Sequence, residues 1–213
     1  MDSLEATYYT ADSLAFIAKD AADRSADPAS VWDPLVAVVF SAIMVEATVN
    51  EILHTVSADG GHLPESVLRL KQFSRSTGLD DRRTSLRVKI QTIATLLSGT
   101  PLSSEEPPYR DLDLLIEARN FLVHHRPERS SRVADSSEWQ VSKLIRRLKS
   151  HGFRSARVEI DVPSGVELLR QEPVAKWAYA TAVATVMTIL DQFPQEYRIA
   201  RHLDPSWAIK LNA

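Results

Sequence analysis

Apolar residues recur at spacings of three and four along most of the chain, which is the pattern of amphipathic α-helices. In the first segment Leu4, Ala11 and Ala18 lie on one such face. The same spacing, together with proline and glycine stops, predicts helices over about 3–24, 31–57, 64–76, 81–98, 109–125, 138–150 and 173–193. We therefore predict an all-α fold, a helical bundle of roughly six or seven helices.

The amino-acid composition excludes several kinds of catalytic and cofactor chemistry. The 213 residues are 44% hydrophobic and 25% charged, the ordinary mixture of a globular chain. Cysteine is absent, which removes disulfides, Cys-ligated metals and thiol nucleophiles. Only six glycines are present and no glycine-rich phosphate-loop motif occurs, so no nucleotide cofactor is predicted.

The net charge of −3 hides strong segregation along the chain. Residues 67–89 carry a net charge of +5 and residues 126–157 carry +6, whereas residues 1–66 carry −9. A globally basic nucleic-acid-binding protein is excluded, but a local basic face is not. The two basic blocks are either solvated helical faces or a rim that attracts a polyanion.

The N-terminus is acidic and lacks the basic start and apolar stretch of a signal peptide. The longest apolar run, from Leu35 to Val45, is shorter than the roughly 20 residues that span a bilayer. We expect a cytoplasmic protein with no membrane partner.

Histidine is the remaining side chain for acid–base or metal chemistry. No HExxH motif exists, and His124 and His125 are adjacent, so on a helix their rings point about 100° apart and cannot chelate one ion. The Glu-x-x-His pairs of di-iron bundles are also missing. The sequence predicts no metal site and no cofactor.

The segment from Glu117 to His125 is the most informative stretch. Arg119, Asn120 and His124 bring a guanidinium, an amide and an imidazole into the last turns of a predicted helix. An imidazole can deprotonate the 2′-OH of RNA near neutral pH, and a guanidinium can stabilise phosphorane charge. An amide can orient either group. These three residues therefore suffice in principle for metal-independent cleavage of RNA.

The spacing alone is weak, because the residue counts give about half an Arg-x4-His occurrence by chance. A second such pair, Arg146 and His151, lies in the basic helix without a following Asn. The alternative interpretation of the first pair is a surface guanidinium and a histidine favoured by the helix dipole. Arg119 and His124 also diverge by about 140° on an ideal helix, so the two could meet across a two-fold axis.

The segment Leu114–His125 resembles the signature helix of the HEPN superfamily, which has Arg, a polar residue, three to five others and then His. Asn120 occupies the polar position. Residues 40–53 resemble the family's long N-terminal helix, with Glu46 and Asn50 as its acid and amide. The resemblance covers about residues 31–126. We predict one domain over 1–213, with a basic loop and helix at 127–157 and C-terminal helices at 158–213.

The resemblance implies a helical homodimer whose signature helices line one cleft, and a metal-independent endoribonuclease acting as a toxin or in phage defence. It implies Arg119, Asn120 and His124 as catalytic residues, with Glu46 and His125 as auxiliary ones. If Glu46 is buried, it needs a partner, for which Arg119 is the candidate. The basic block predicts RNA contacts by Arg126, Lys143, Arg146 and Arg147.

Family membership does not establish activity, because other members are non-catalytic. The alternative is an α-helical RNA-binding or protein-interaction module of a toxin–antitoxin or defence system. An antitoxin or a nucleotidyltransferase would be its partner. A structural helical protein is the third reading, favoured if the basic blocks lie far from the signature helix.

Overall fold

The structure is a computed structural model that describes residues 10–81, 83–124, 131–132, 139–140, 142–154, 164–200 and 203. Within these residues the chain forms nine α-helices and one two-residue strand pairing. The helices are α1 (Ala11–Arg24), α2 (Asp33–Ala58), α3 (Glu65–Thr77), α4 (Leu86–Ser98), α5 (Tyr109–His124), α6 (Lys143–Ser150), α7 (Gly165–Leu169), α8 (Glu172–Leu190) and α9 (Gln195–Ala200). The all-α fold class is confirmed.

Seven of these helices correspond to the seven that apolar spacing predicts, and the short α7 and α9 were not predicted. Three helix starts differ from prediction. Helix α1 begins at Ala11, and residues 3–9, which were also predicted as helix, lie outside the described residues. Helix α4 begins at Leu86 rather than near residue 81, because Ser85 caps it by accepting a hydrogen bond from the backbone N–H of Val88. Helix α6 begins at Lys143 rather than near 138, because Ser142 caps it in the same way.

The residues just before α6 pair as strands instead of extending the helix. Strand β1 (Ser131–Arg132) pairs antiparallel with β2 (Trp139–Gln140), in the register Ser131 opposite Gln140 and Arg132 opposite Trp139. This two-residue ladder does not change the fold class.

The chain forms two compact units, each assembled from separate stretches. The first unit contains Met1–Phe16, Ile43–Leu102 and Val186–Ala213, and the second contains Ile17–Ala42 and Ser103–Thr185.

In the first unit α3 packs against α4. Both helices are amphipathic and bury Val67 and Leu70 from α3 and Ile90 and Ile93 from α4. Both end at a glycine with left-handed backbone, Gly78 (φ 65°) and Gly99 (φ 82°), the conformation that glycine adopts without a Cβ penalty.

In the second unit α5 packs against α6, and α6 against α7. Helix α6 buries Leu144, Ile145 and Leu148, so its basic side chains occupy the remaining face. A capping box between Ser164 and Glu167 begins α7. Helices α5 and α6 carry the candidate site residues.

Helices α2 and α8 are long and apolar enough to cross a membrane by length and composition, and half of the apolar window of each is buried within the protein. Buried core helices meet the same criterion, so this finding does not identify a membrane span.

Candidate functional site

Helix α5 carries the three predicted catalytic residues at its C-terminal end. Leu112, Leu115 and Ala118 are buried and anchor the helix. Arg119, directly after this apolar face, is half-buried, whereas Asn120 and His124 are exposed. His124 is the last residue of α5. The histidine is therefore accessible to a ligand.

The Arg119 guanidinium is hydrogen-bonded to its neighbour. Its Nη1 donates to Oδ1 of Asn120 at 2.9 Å. This bond uses one of five guanidinium N–H groups and restricts the orientation of the side chain. The Asn120 amide therefore contacts the Arg119 guanidinium, and its role in catalysis stays a prediction.

Helices α5 and α6 run antiparallel, as two contacts between them show. Arg147 forms an ion pair with Glu117, and Nδ1 of His151 lies 3.9 Å from Oδ1 of Asp111. Higher numbers on α6 thus face lower numbers on α5. The N-terminal end of α6, with Lys143, therefore lies towards the C-terminal end of α5, with His124.

The predicted RNA-contacting side chains on α6 differ in their surroundings. Lys143 and Arg146 are exposed, whereas Arg147 is half-buried in its ion pair with Glu117. Residues 142–154 contain five basic and no acidic side chains. The basic helix α6 and helix α5 are thus neighbours within one unit, whereas the basic block 67–89 belongs to the first unit.

His125 and Arg126 lie outside the described residues. Glu46 is exposed and belongs to the first unit, so the condition of burial under which it needs a partner is not met. Its charge acts on Lys89, a residue that sequence reasoning missed.

Lys89 on α4 is only 3% exposed, and its Nζ donates to Oδ1 of Asn50 on α2 at 2.7 Å. Burial lowers the pKa of this ammonium group, while the charges of Glu46, Asp80 and Asp81 oppose that shift. A sequence signal was present, because Lys89 lies three residues after Leu86 and four before Ile93, on the apolar face of its helix.

A cleft of about 420 Å³ lies between α5 and α6, lined by Arg110, Asp111, Leu114, Arg147, Ser150 and His151. Within it, Nε of Arg110 donates to Oδ1 of Asp111 at 3.0 Å. The His151 ring lies 5.2 Å from the ring of Trp177 and 5.3 Å from that of Phe153, measured between centroids. His151, the histidine of the second Arg-x4-His pair, thus lines this cleft.

No protein-family profile, no curated protein and no solved structure matches the chain. Among the described residues, no group of three or more His, Asp or Glu side chains is placed to hold a metal ion. The site is therefore interpreted from its own geometry.

Proposed function

We propose that the protein is a metal-independent endoribonuclease of the HEPN type. His124 acts as the general acid or base on the 2′-OH or the leaving oxygen, and Arg119 binds the phosphate oxygens that gain charge. Asn120 orients the Arg119 guanidinium. The product is a 2′,3′-cyclic phosphate, because the attacking oxygen belongs to the RNA itself.

The observation that carries this function is the hydrogen bond from Arg119 to Asn120 beside an exposed His124. The bond holds the Asn120 amide against the guanidinium, on the helix whose last residue is His124. The bond leaves further N–H groups of Arg119 for a bidentate contact with a phosphate. An exposed histidine at a helix end is accessible to an RNA strand.

RNA approaches along the basic helix. Lys143 and Arg146 are exposed on α6, whose N-terminal end lies towards His124. Arg126 and His125 follow directly in sequence and add a further cation and a further imidazole. Contacts of this kind with phosphates release counterions and make binding salt-dependent.

The active enzyme is a homodimer in this proposal. Arg119 and His124 point about 140° apart around α5, so two copies related by a two-fold axis can pair the arginine of one with the histidine of the other. Val123, beside His124, is 50% exposed and offers an apolar contact for such an interface.

The biological role that fits this chemistry is a cytoplasmic toxin or phage-defence effector, held in check by an antitoxin or a nucleotidyltransferase partner. Unrestrained cleavage of cellular RNA is harmful, which makes an inhibitory partner necessary. The alternative, a non-catalytic RNA-binding or interaction module, would retain RNA binding without cleavage.

The deciding experiment is cleavage of a labelled RNA in EDTA by wild type, Arg119→Ala and His124→Ala. We expect cleavage by the wild type, a cyclic phosphate end, and a loss on the order of 10² or more in rate for each variant, the usual size for an acid–base or charge-stabilising group.

His54→Ala is the matched control, because His54 is also exposed on a helix. It should cleave at the wild-type rate. Cleavage that EDTA abolishes, or that His124→Ala and His54→Ala perform equally, would rule out this mechanism. RNA binding with no cleavage by any form would select the non-catalytic module.

A further inference from the structure

The cleft between α5 and α6 contains basic, hydroxyl and imidazole groups that the proposed reaction does not use. Arg110 stands on its α5 wall, Arg147 on its α6 wall, and Ser150 and His151 at the C-terminal end of α6. We propose that this cleft is a binding site for a phosphate group, with the two guanidiniums as its principal ligands.

Each guanidinium is already oriented by a carboxylate. Asp111, only 14% exposed, accepts from Nε of Arg110, and Glu117 accepts from Nη1 of Arg147. Each recorded bond occupies one N–H, and the planar fork carries four more. A preorganised guanidinium loses less side-chain entropy when it binds an anion, so the carboxylates prepare the site as well as balance its charge.

His151 adds a rigid polar group to the same wall. Its ring is packed against Phe153 and Trp177, and its side chain is 22% exposed. Nδ1 lies at ion-pair distance from Asp111, beyond hydrogen-bond length. The imidazole can donate one hydrogen bond to a phosphate oxygen, whereas the Ser150 hydroxyl donates to the backbone oxygen of Arg147 at 2.8 Å.

The surrounding charge favours an anion over a cation. Lys143, Arg146, Lys149 and Arg154 accompany Arg147 in the stretch 142–154, which contains no carboxylate. On the opposite wall, Asp111 forms an ion pair with Arg110, and Glu117 forms one with Arg147. The cleft itself is lined by two arginines and one aspartate, so its lining carries a net positive charge, which raises the local concentration of anions.

The size of the cleft fits a phosphate with a small attached group, because ligand pockets begin at about 300 Å³. The phosphate can come from a phosphomonoester or from an internal linkage of RNA. The chemistry that recognises it is the same, and binding at this site does not require that the protein cleave RNA.

The test is a titration of the full-length protein with inorganic phosphate and with a 5′-mononucleotide at fixed ionic strength. The Nε–Hε signals of Arg110 and Arg147 are followed by proton–nitrogen NMR and assigned by single Arg→Lys variants. We expect saturable shifts of both signals. Arg110→Gln and Arg147→Gln should each weaken binding at least about tenfold, the effect of losing one charge-assisted hydrogen bond.

Lys149→Gln is the matched control, because it removes the same charge from an exposed position that does not line the cleft. It should change affinity less than about twofold. If Arg147→Gln unfolds, Arg110→Gln still tests the site. The Arg110 side chain is 49% exposed, so its replacement should leave the protein folded. Signals that do not saturate, or arginine variants that bind as well as the control, would overturn the site.

Competition by 2′-O-methyl oligonucleotides, which cannot be cleaved through the 2′-oxygen, identifies the source of the phosphate. Displacement by strands with either a hydroxyl or a phosphate at the 5′ end assigns the site to internal linkages. Displacement only by the 5′-phosphorylated strand assigns it to a terminal monoester. Either result supports the cleft, and failure of both strands and the mononucleotide to compete with phosphate would contradict it.

Discussion

Two Arg-x4-His pairs lie in the second unit, and their side chains have different surroundings. In the first, Arg119 bonds to Asn120 and His124 is exposed at the end of α5. In the second, Arg146 is exposed and His151 is packed against the rings of Phe153 and Trp177 at the end of α6. The same spacing therefore yields one accessible histidine and one that is fixed in a pocket.

The difference shows that the surroundings of each histidine, rather than the spacing of the pair, determine how accessible its imidazole is. His151 contacts side chains of α5 and α8, which lie far from it in sequence, whereas the side chain of His124 is exposed. An accessible histidine suits proton transfer with a large substrate. A fixed one suits orientation of a small ligand.

The largest expected effect tests whether the first pair works across a dimer. Mixed dimers of an Arg119→Ala chain and a His124→Ala chain keep one intact pair, so they should cleave RNA on the order of tenfold or more above either variant homodimer. The measurement is cleavage rate after unfolding and refolding the variants together. A monomer that is fully active at dilutions where light scattering shows no dimer would refute the shared site.

A stability measurement sharpens the contrast between the two histidines. His151→Ala removes two aromatic contacts from a mostly buried ring and should lower the free energy of unfolding by about 1–3 kcal/mol. His124→Ala should change it by less than about 0.5 kcal/mol, as an exposed position does. Urea denaturation of both variants checks this, and equal losses would mean that His124 is also a packing residue.

The contribution of Arg146, the arginine of the second pair, can be measured by its effect on RNA binding. Arg146→Glu should lower the salt dependence of RNA affinity by about 0.7 in log–log slope, the value for one contact with single-stranded RNA. Lys176→Glu on α8 makes the same charge change at another exposed position and should leave the slope unchanged. Binding curves from low to high salt measure both. Equal slopes for the two variants would remove α6 from the RNA path.

The smallest effect concerns Lys89, which has an amide partner where Arg147 has a carboxylate. Because burial holds its pKa below the ordinary 10.5, the unfolded chain binds more protons just below that pH. Wild type should therefore gain stability relative to Lys89→Met as pH rises from 7 towards 10. Urea denaturation across this range measures the difference. For Lys19→Met no such gain is expected, because Asp23 raises the Lys19 pKa.

Local pattern was sufficient to predict the helices and insufficient to predict the cleft. Three- and four-residue apolar spacing located all seven longer helices, since burial of one face is a local property of sequence. The bond between Arg119 and Asn120 joins neighbours. Asp111 and His151 are forty residues apart, and their approach depends on how α6 packs against α5.

The ion pair between Glu117 and Arg147 closes a loop of 30 residues. Closing such a loop costs about 3 kcal/mol in chain entropy, and doubling its length would add only about 0.6 kcal/mol. The entropy cost of closing this loop therefore depends only weakly on the length of the connection between α5 and α6. Burial of Leu144, Ile145 and Leu148 holds α6 in register, so the connection can change in length with little effect on the cleft.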